Sequence, residues 1–331
     1  MSEIVITPQT ARRLAVTKQR LTGPRPSPSK DSIMQVFRDL GCVQIDPIRA
    51  VERTQFLVLW SRLGNYDWAN LDTLLWEERT LFEYWAHAAS IVLTEDYPIH
   101  QAWMRKCATG SSPGEQRVRT WLTENEEFRQ HILSRLKSEG PLSIQEIDDL
   151  SVKPWKSTGW TNDRNVDRMI GFMWEQGDVV VAQRDGLKKK WALTEDHLPA
   201  WTPREQWSEA EVVRRAAQRS LRALGVGTRK QIANHFTRDR YPGLAAALAD
   251  LVAEGRIRPV IIREGDQVWP GEWYVHSDDV PLLEALAAGR SWSPRTVLLS
   301  PFDNLICDRD RTEQMWNFFF RIEIYVPKAK R

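Results

Sequence analysis

Gln44 and Asp46 flank a single apolar residue in the run Gly41-Cys42-Val43-Gln44-Ile45-Asp46-Pro47. Apolar and polar residues alternate from Val43 to Asp46, the period of a half-buried strand. That spacing predicts Val43 and Ile45 on one face, with the amide of Gln44 beside the carboxylate of Asp46 on the other. An amide and a carboxylate held together bind a water molecule and draw a proton from it, which is general-base chemistry. Read alone, the same residues also describe a surface strand with two polar side chains before a turn closed by Pro47. Other chemistry is poorly represented. The three cysteines (Cys42, Cys107, Cys307) are far apart and form no C-x-x-C, and the six histidines lack ligand spacing. Neither a metal, a disulfide framework nor a cofactor is therefore expected.

Composition bounds the rest. A chain of 331 residues has room for two or three modules with their own cores. Apolar content of 42%, charged content of 27% and a net charge of +2 argue against disorder. No apolar run reaches the length of a membrane-spanning helix, and the N-terminus lacks the pattern of a secretory leader, so a cytoplasmic protein is expected. Charge is unevenly spread. Arg12, Arg13, Lys18, Arg20, Arg25 and Lys30 face only Glu3 in the first 30 residues. Such an arm attracts a phosphate backbone, although a solvated amphipathic helix reads the same way. The 16 tryptophans are mostly core, with a few available as stacking faces.

The elements that position Gln44 and Asp46 follow from punctuation. A helix is expected over Pro8–Leu21, then a Pro/Ser loop. A second helix, capped by Asp31, runs to Gly41 and feeds the strand. Helices over Val51–Leu63 and Trp68–Arg79 precede strand-like Leu81–Trp85, and a helix capped at Thr94–Asp96 reaches Cys107. From there the chain repeats itself. One long helix (115–138) leads to Gly140-Pro141-Leu142-Ser143-Ile144, and another (209–224) leads to Gly225-Val226-Gly227-Thr228-Arg229; each turn introduces a short helix. A further helix in each copy ends in Gly177-Asp178-Val179 or Gly255-Arg256-Ile257, and two strands follow: Val179–Gln183 with Trp191–Thr194, and Ile257–Arg263 with Gln267–Val275. Three helices, a strand and a hairpin make a winged helix. The ending Leu40-Gly41-Cys42-Val43 has the same form, which places Gln44 and Asp46 just beyond the recognition-type helix of a first, diverged copy. Thr296–Leu305 reads as a strand and turn, followed by a charged helix and a strand over Phe319–Val326 ahead of the basic end Lys328-Ala329-Lys330-Arg331.

Several winged helices in one chain point to nucleic acid, although such folds also bind proteins. Lys188, Lys189 and Lys190 beside Trp191 read as a phosphate-contacting wing or as an ordinary solvated turn. Three motifs then carry a family resemblance: Gln44-Ile45-Asp46; Leu81-Phe82-Glu83-Tyr84-Trp85-Ala86-His87-Ala88-Ala89; and Ser300-Pro301-Phe302-Asp303-Asn304-Leu305 followed by Asp308-Arg309. In this order the chain resembles the bacterial AlkZ/AlkX (YcaQ) winged-helix DNA glycosylases. The Gln-x-Asp form of its first motif is similar to the AlkX branch. Two departures are visible: Cys307 stands where the family has an aromatic or aliphatic residue, and family members continue with further strands where this chain stops.

The resemblance implies a mainly helical α+β fold with three tandem winged-helix units and a C-terminal β-barrel-like subdomain, C-shaped around DNA. The expected boundaries are 1–110 for the unit with the catalytic motif, 111–205 and 206–290 for the second and third, and 291–331 for a shortened β subdomain. It further implies a monomer acting on double-stranded DNA at the nucleoid, removing N7-alkylated guanine and unhooking interstrand crosslinks in base excision repair. Asp46 is then the carboxylate that polarises water and stabilises the sugar cation, and Gln44 orients the water. The absence of a lysine from the motif favours hydrolysis over lyase chemistry. Arg12, Arg13, Lys188, Lys189, Lys190 and Arg309 are candidate phosphate ligands. His87 is either a hydrogen-bonded structural residue or a DNA contact. Asp303 is either an Asx-type turn or part of a DNA-probing loop, and Glu83 reads as a salt-bridge or cap partner. A non-enzymatic DNA-binding regulator is the competing expectation. A metal-dependent nuclease would need several convergent carboxylates, and the key strand displays one.

Overall fold

The computed structural model of the chain describes residues 3–49, 51–157, 159, 162–238 and 240–322. It is an α+β fold of helices and small sheets. Among the described residues no helix is long and apolar enough to cross a membrane. The contacts divide the chain into two compact units. One draws on residues up to Leu71, on Ala86–Ile91 and on the chain from Ser208 onward; the other holds Asp72–Trp85 and Val92–Trp207.

The first unit is built on a sheet in the order Ile4–Ile6, Ile257–Glu264, Trp273–His276, Val226–Thr228. Ile4–Ile6 runs parallel to its neighbour, with Ile4 opposite Val260, and Trp273–His276 is antiparallel on both sides. Helix Pro8–Lys18 begins at the N-cap Thr7, with Pro8 where its missing N–H costs nothing. Ala11, Leu14 and Ala15 fall on one face at helical spacing and enter the same core as Val260, Ile262, Trp273 and Val275. Gly225 shows how close that packing is. Its φ is +74°, and a Cβ there would lie 3.2 Å from the backbone of Ala15.

A fully buried ion pair ties this unit together. Arg62 donates to both oxygens of Asp303, at 2.5 and 2.9 Å, and also to Gln19 Oε1 at 3.1 Å. Gln19 in turn donates to the carbonyl of Ala223 at 2.8 Å. Three separate chain segments thus meet at one guanidinium, and Gln19 links it to a fourth.

The second unit packs helices Tyr97–Thr109, Pro113–Glu124, Glu126–Glu139 and Asn165–Gln176 with a sheet ordered Leu142–Ser143, Lys188–Leu193, Val179–Asp185. Within it Glu83 is buried and paired with Arg184, whose Nη2 lies 2.7 Å from Oε2, so its salt-bridge reading is the one the structure shows.

Several expected elements change. The single helix over 115–138 is two helices broken at Asn125, whose amide accepts from Val152 N and Lys153 N and donates to Trp121 O and Lys153 O. A side chain with that many backbone partners competes with helix continuation. The second helix is capped by Ser29, in a reciprocal box with Ser32, not by Asp31. The helix expected from Val51 starts at Thr54, and the one over Trp68–Arg79 becomes π-helical at Thr73–Glu77. Ile144–Glu146 makes only a single 3-10 turn, and Pro270-Gly271 splits the strand expected over Gln267–Val275.

The largest correction is at the C-terminal end. Among the described residues beyond Gly289 there is no strand, so those residues contribute none to the β subdomain expected over 291–331. Thr296–Leu299 is irregular, and residues 300–307 close on themselves through Asp303 N to Ser300 O and Cys307 N to Asp303 O. The strand expected over Phe319–Val326 is irregular as far as Ile322, and its remainder lies outside the described residues, as does the basic end.

Removing one partner of the Arg62–Asp303 pair strands the other charge in the core, so Asp303→Ala should destabilise the protein by about 3–5 kcal/mol in a denaturant titration. Replacing both residues with apolar ones of similar volume should cost markedly less.

Candidate active site

Helix Lys30–Leu40 buries Ile33, Val36, Phe37 and Leu40 and stops at Gly41, whose φ of +81° suits glycine and lets the chain turn directly into strand Cys42–Gln44. A Cβ at this glycine would also meet the side chain of Arg219 at 3.3 Å. The same helix-glycine-strand transition recurs at Gly177 and Gly255, both with positive φ. Cys42 and Val43 are fully buried and anchor the strand from below; Gln44 is half-buried.

Past Gln44 the alternation breaks. Ile45 N still donates to Ala89 O at 2.8 Å, but regular strand structure ends, and Asp46 turns inward to 6% exposure. Its Oδ1 accepts from Ile48 N at 2.8 Å across Pro47, an Asx-type turn. Gln44 and Asp46 consequently line different cavities. Gln44 faces one of 420 Å³, shared with Asn234, Arg238, Asn304, Cys307 and Asp308. Asp46 faces one of 710 Å³, shared with Thr54, Trp60, Trp68 and Ser300 and largely apolar. Pro301 and Phe302 line both, so the third motif forms the partition between them.

That motif is held in place by its polar residues. Ser300 Oγ lies 2.8 Å from Thr54 Oγ1, and Asn304 Nδ2 donates to the backbone carbonyl of Cys42 at 2.8 Å. Asn304 Oδ1 is buried without a hydrogen-bond partner. Asp303 is wholly buried against Arg62, and its Oδ1 accepts from Leu305 N at 3.0 Å, an Asx-type contact. From the following helix, Arg309–Trp316, the buried Arg311 donates to Leu224 O, Val226 O and Gln231 Oε1. Arg309 is exposed at the first cavity, with its guanidinium 5.7 Å from the Phe320 ring.

His87 lies between the strand and the cavity. Its Nε2 is 3.3 Å from Gln44 Oε1 and its Nδ1 is 3.4 Å from Cys42 Sγ. Burial, reinforced by the fields of His235 and Arg238, lowers its pKa to about 3, so the ring is neutral. Both nitrogens are thus engaged inside the protein. His235 is also buried; its ring lies 3.2 Å from Leu40 O, and burial lowers its pKa to about 4.

The remaining candidates separate by environment. Arg12 donates to Met315 O and stacks 5.6 Å from Trp269, and Arg13 sits 5.6 Å from Trp292, so both are half-buried among intramolecular partners. In the second unit the pleat splits the lysine run. Lys188 and Lys190 are exposed, whereas Lys189 turns to the other face, 4.7 Å from Trp174 and 5.0 Å from Trp191, and burial lowers its pKa. Among the described residues no group of three His, Cys, Asp or Glu side chains is arranged to hold a metal ion.

Sequence reading overlooked Arg62, Arg311 and Cys42. Arg62 left a signal: it follows Gln55, Val58 and Leu59 at helical spacing, so a charge stands on the buried face of its helix. Arg311 left none, because its carbonyl partners lie more than 80 residues away.

A model of the family described as AlkZ-like DNA glycosylase matches residues 37–331, which include all three motifs but not Arg12 or Arg13. Among solved structures, the chain resembles the Streptomyces sahachiroi DNA glycosylase AlkZ, with a TM-score of 0.66 and 16% identity, covering 98% of this chain and 81% of that one. At that identity the structural likeness speaks for the fold.

His87 and His235, both buried, make acid stability testable. In the unfolded chain they protonate near pH 6.5, whereas the native state refuses those protons until about pH 3 for His87 and about 4 for His235. Their neutral burial therefore costs nothing above pH 6.5, and stability falls as pH drops below it. Denaturation midpoints should decrease from pH 7 to pH 5, with a shallower slope in His87→Gln.

Proposed function

Because the chain belongs to the AlkZ-like DNA glycosylase family, we propose that it hydrolyses the N-glycosidic bond of N7-alkylated guanine in double-stranded DNA, interstrand crosslinks included. The observation that carries this reading is the end of strand Cys42–Gln44, where a fixed amide and an inward-turned carboxylate line two cavities that share Pro301 and Phe302. Alkylation at N7 makes the guanine cationic, so the base departs with the electron pair of the C1′–N9 bond as a neutral molecule and needs no strong acid. The protein must stabilise the oxocarbenium-like sugar and deliver water to C1′. Asp46 supplies the negative charge and receives the proton of that water; Gln44 holds the water in line. Among the described residues no lysine lines either cavity, which supports release of the base by hydrolysis alone, leaving an abasic site for base excision repair.

The docking elements follow the same reading. Residues 126–193 and 209–276 each run helix, short strand, helical turn or short helix, helix and paired strands, the order of a winged helix, and the segment carrying Gln44 is the first, diverged member. The exposed Lys188 and Lys190 contact phosphate, while Lys189 braces the hairpin from its other face. The protein acts as a monomer at the nucleoid.

Incubating N7-methylguanine DNA with the protein in EDTA, then cleaving abasic sites with alkali, tests the chemistry. Strand cleavage is expected for wild type, with a loss of about 10²–10⁴-fold in Asp46→Asn and a smaller loss in Gln44→Ala. Equal cleavage by wild type and Asp46→Asn would overturn the role of Asp46, and no cleavage by wild type would leave a DNA-binding protein without this chemistry. For docking, replacing Lys188 and Lys190 together by alanine should weaken binding to all sequences and reduce the salt slope by about 2, about 1 per lost phosphate contact.

A further inference from the structure

Cys42 and Gln44 are two residues apart on one strand, so their side chains project to the same side and a single ring can bridge them. His87 occupies that position, with Nδ1 toward Cys42 Sγ and Nε2 toward Gln44 Oε1. A neutral imidazole carries one N–H and one lone pair. The carbonyl oxygen of Gln44 only accepts, so Nε2 bears the hydrogen and Nδ1 keeps the lone pair, which the Cys42 thiol meets as a weak donor. Ring and thiol are both buried, so bulk water does not compete for these positions. A glutamine amide otherwise flips between two nearly isosteric orientations that exchange donor for acceptor. Here the oxygen is the amide atom placed toward His87, 3.3 Å from Nε2.

We propose that His87, backed by Cys42, is a positioning residue that holds Gln44 with its NH₂ group toward the substrate. The inference rests on the reading of Gln44 as part of the reaction site. It makes Gln44 a donor to the water or sugar oxygen and leaves Asp46 as the acceptor of the water's proton. The acidic and basic roles in the motif are then no longer interchangeable.

Two measurements test this. Histidine-selective ¹⁵N NMR of the intact protein reads the ring directly, the His87 signals being those lost in His87→Gln. The Nε2–H tautomer is expected, unchanged between pH 5.5 and 8, with His235 and Arg238 as the groups whose fields reach the ring. An Nδ1–H tautomer, or an imidazolium at pH 6, would overturn the proposal. Excision of N7-methylguanine then reads the coupling. His87→Leu should lower kcat by about tenfold, the equivalent of one lost hydrogen bond, with KM nearly unchanged, and His87→Gln, which keeps an N–H donor, should recover most of the loss. In a Gln44→Ala background, His87→Leu should cost less than about twofold more. Equal losses in both backgrounds would show that His87 does not act through Gln44. Absence of excision by wild type would sink the proposed substrate instead, while the NMR result would still decide the orientation of Gln44.

Discussion

The buried pair between Arg62 and Asp303 is the constraint on which the site depends. Both side chains are fully buried, and a charge in that environment is tolerated only when its partner and its remaining hydrogen-bonding positions are satisfied. The guanidinium meets most of this condition through Asp303, Ser61, Gln19 and the carbonyl of Val58, which engage both terminal nitrogens and leave only Nε buried without a partner. Two of these partners, Gln19 and Asp303, reach other segments. Gln19 connects to the end of helix Glu209–Leu224, and Asp303 fixes the loop whose next residue, Asn304, grips the strand carrying Gln44. A charged pair serves here better than an apolar contact would, because its fork geometry fixes orientation as well as distance.

The strand's early termination has a chemical consequence. Had the period-two pattern continued, Gln44 and Asp46 would share one face and one cavity. The Asx-type turn across Pro47 rotates the carboxylate into a more apolar space, while the amide stays with the polar residues of the third motif and the following helix. In the proposed reaction the two groups approach the reacting centre from opposite sides of Pro301 and Phe302. One donates and the other accepts, instead of acting as neighbours on a flat surface. The neutral state of His87 matters for the same reason, since an imidazolium would add a donor at Nδ1 and a positive charge beside a developing sugar cation.

Much of the local structure was legible because its causes are local. Glycines with positive φ at 41, 177 and 255 ended helices where the punctuation placed them, and Thr7 and Ser208 cap the starts of two helices close to their expected positions. Errors arose where a residue's partner lies far along the chain. Ile4–Ile6 becomes a strand only because Ile257–Glu264 is there to receive it. Asn125 breaks a helix because residues 152 and 153 offer backbone groups to its amide. Thr296–Leu299 has the composition of a strand but no ladder partner in the described structure.

The sequence by itself determined the motif order, the family likeness and the identity of the amide on the key strand and the carboxylate just beyond it, since these reside in residue types and short spacings. Tertiary structure decided what each polar residue does. It buried Asp303 in an ion pair, engaged both nitrogens of His87, turned Lys189 away from Lys188 and Lys190, and sent Gln44 and Asp46 into separate cavities. The physical reason is desolvation: whether a polar group meets solvent, substrate or another side chain depends on which distant segments cover it, and spacing along the chain carries no record of that cover.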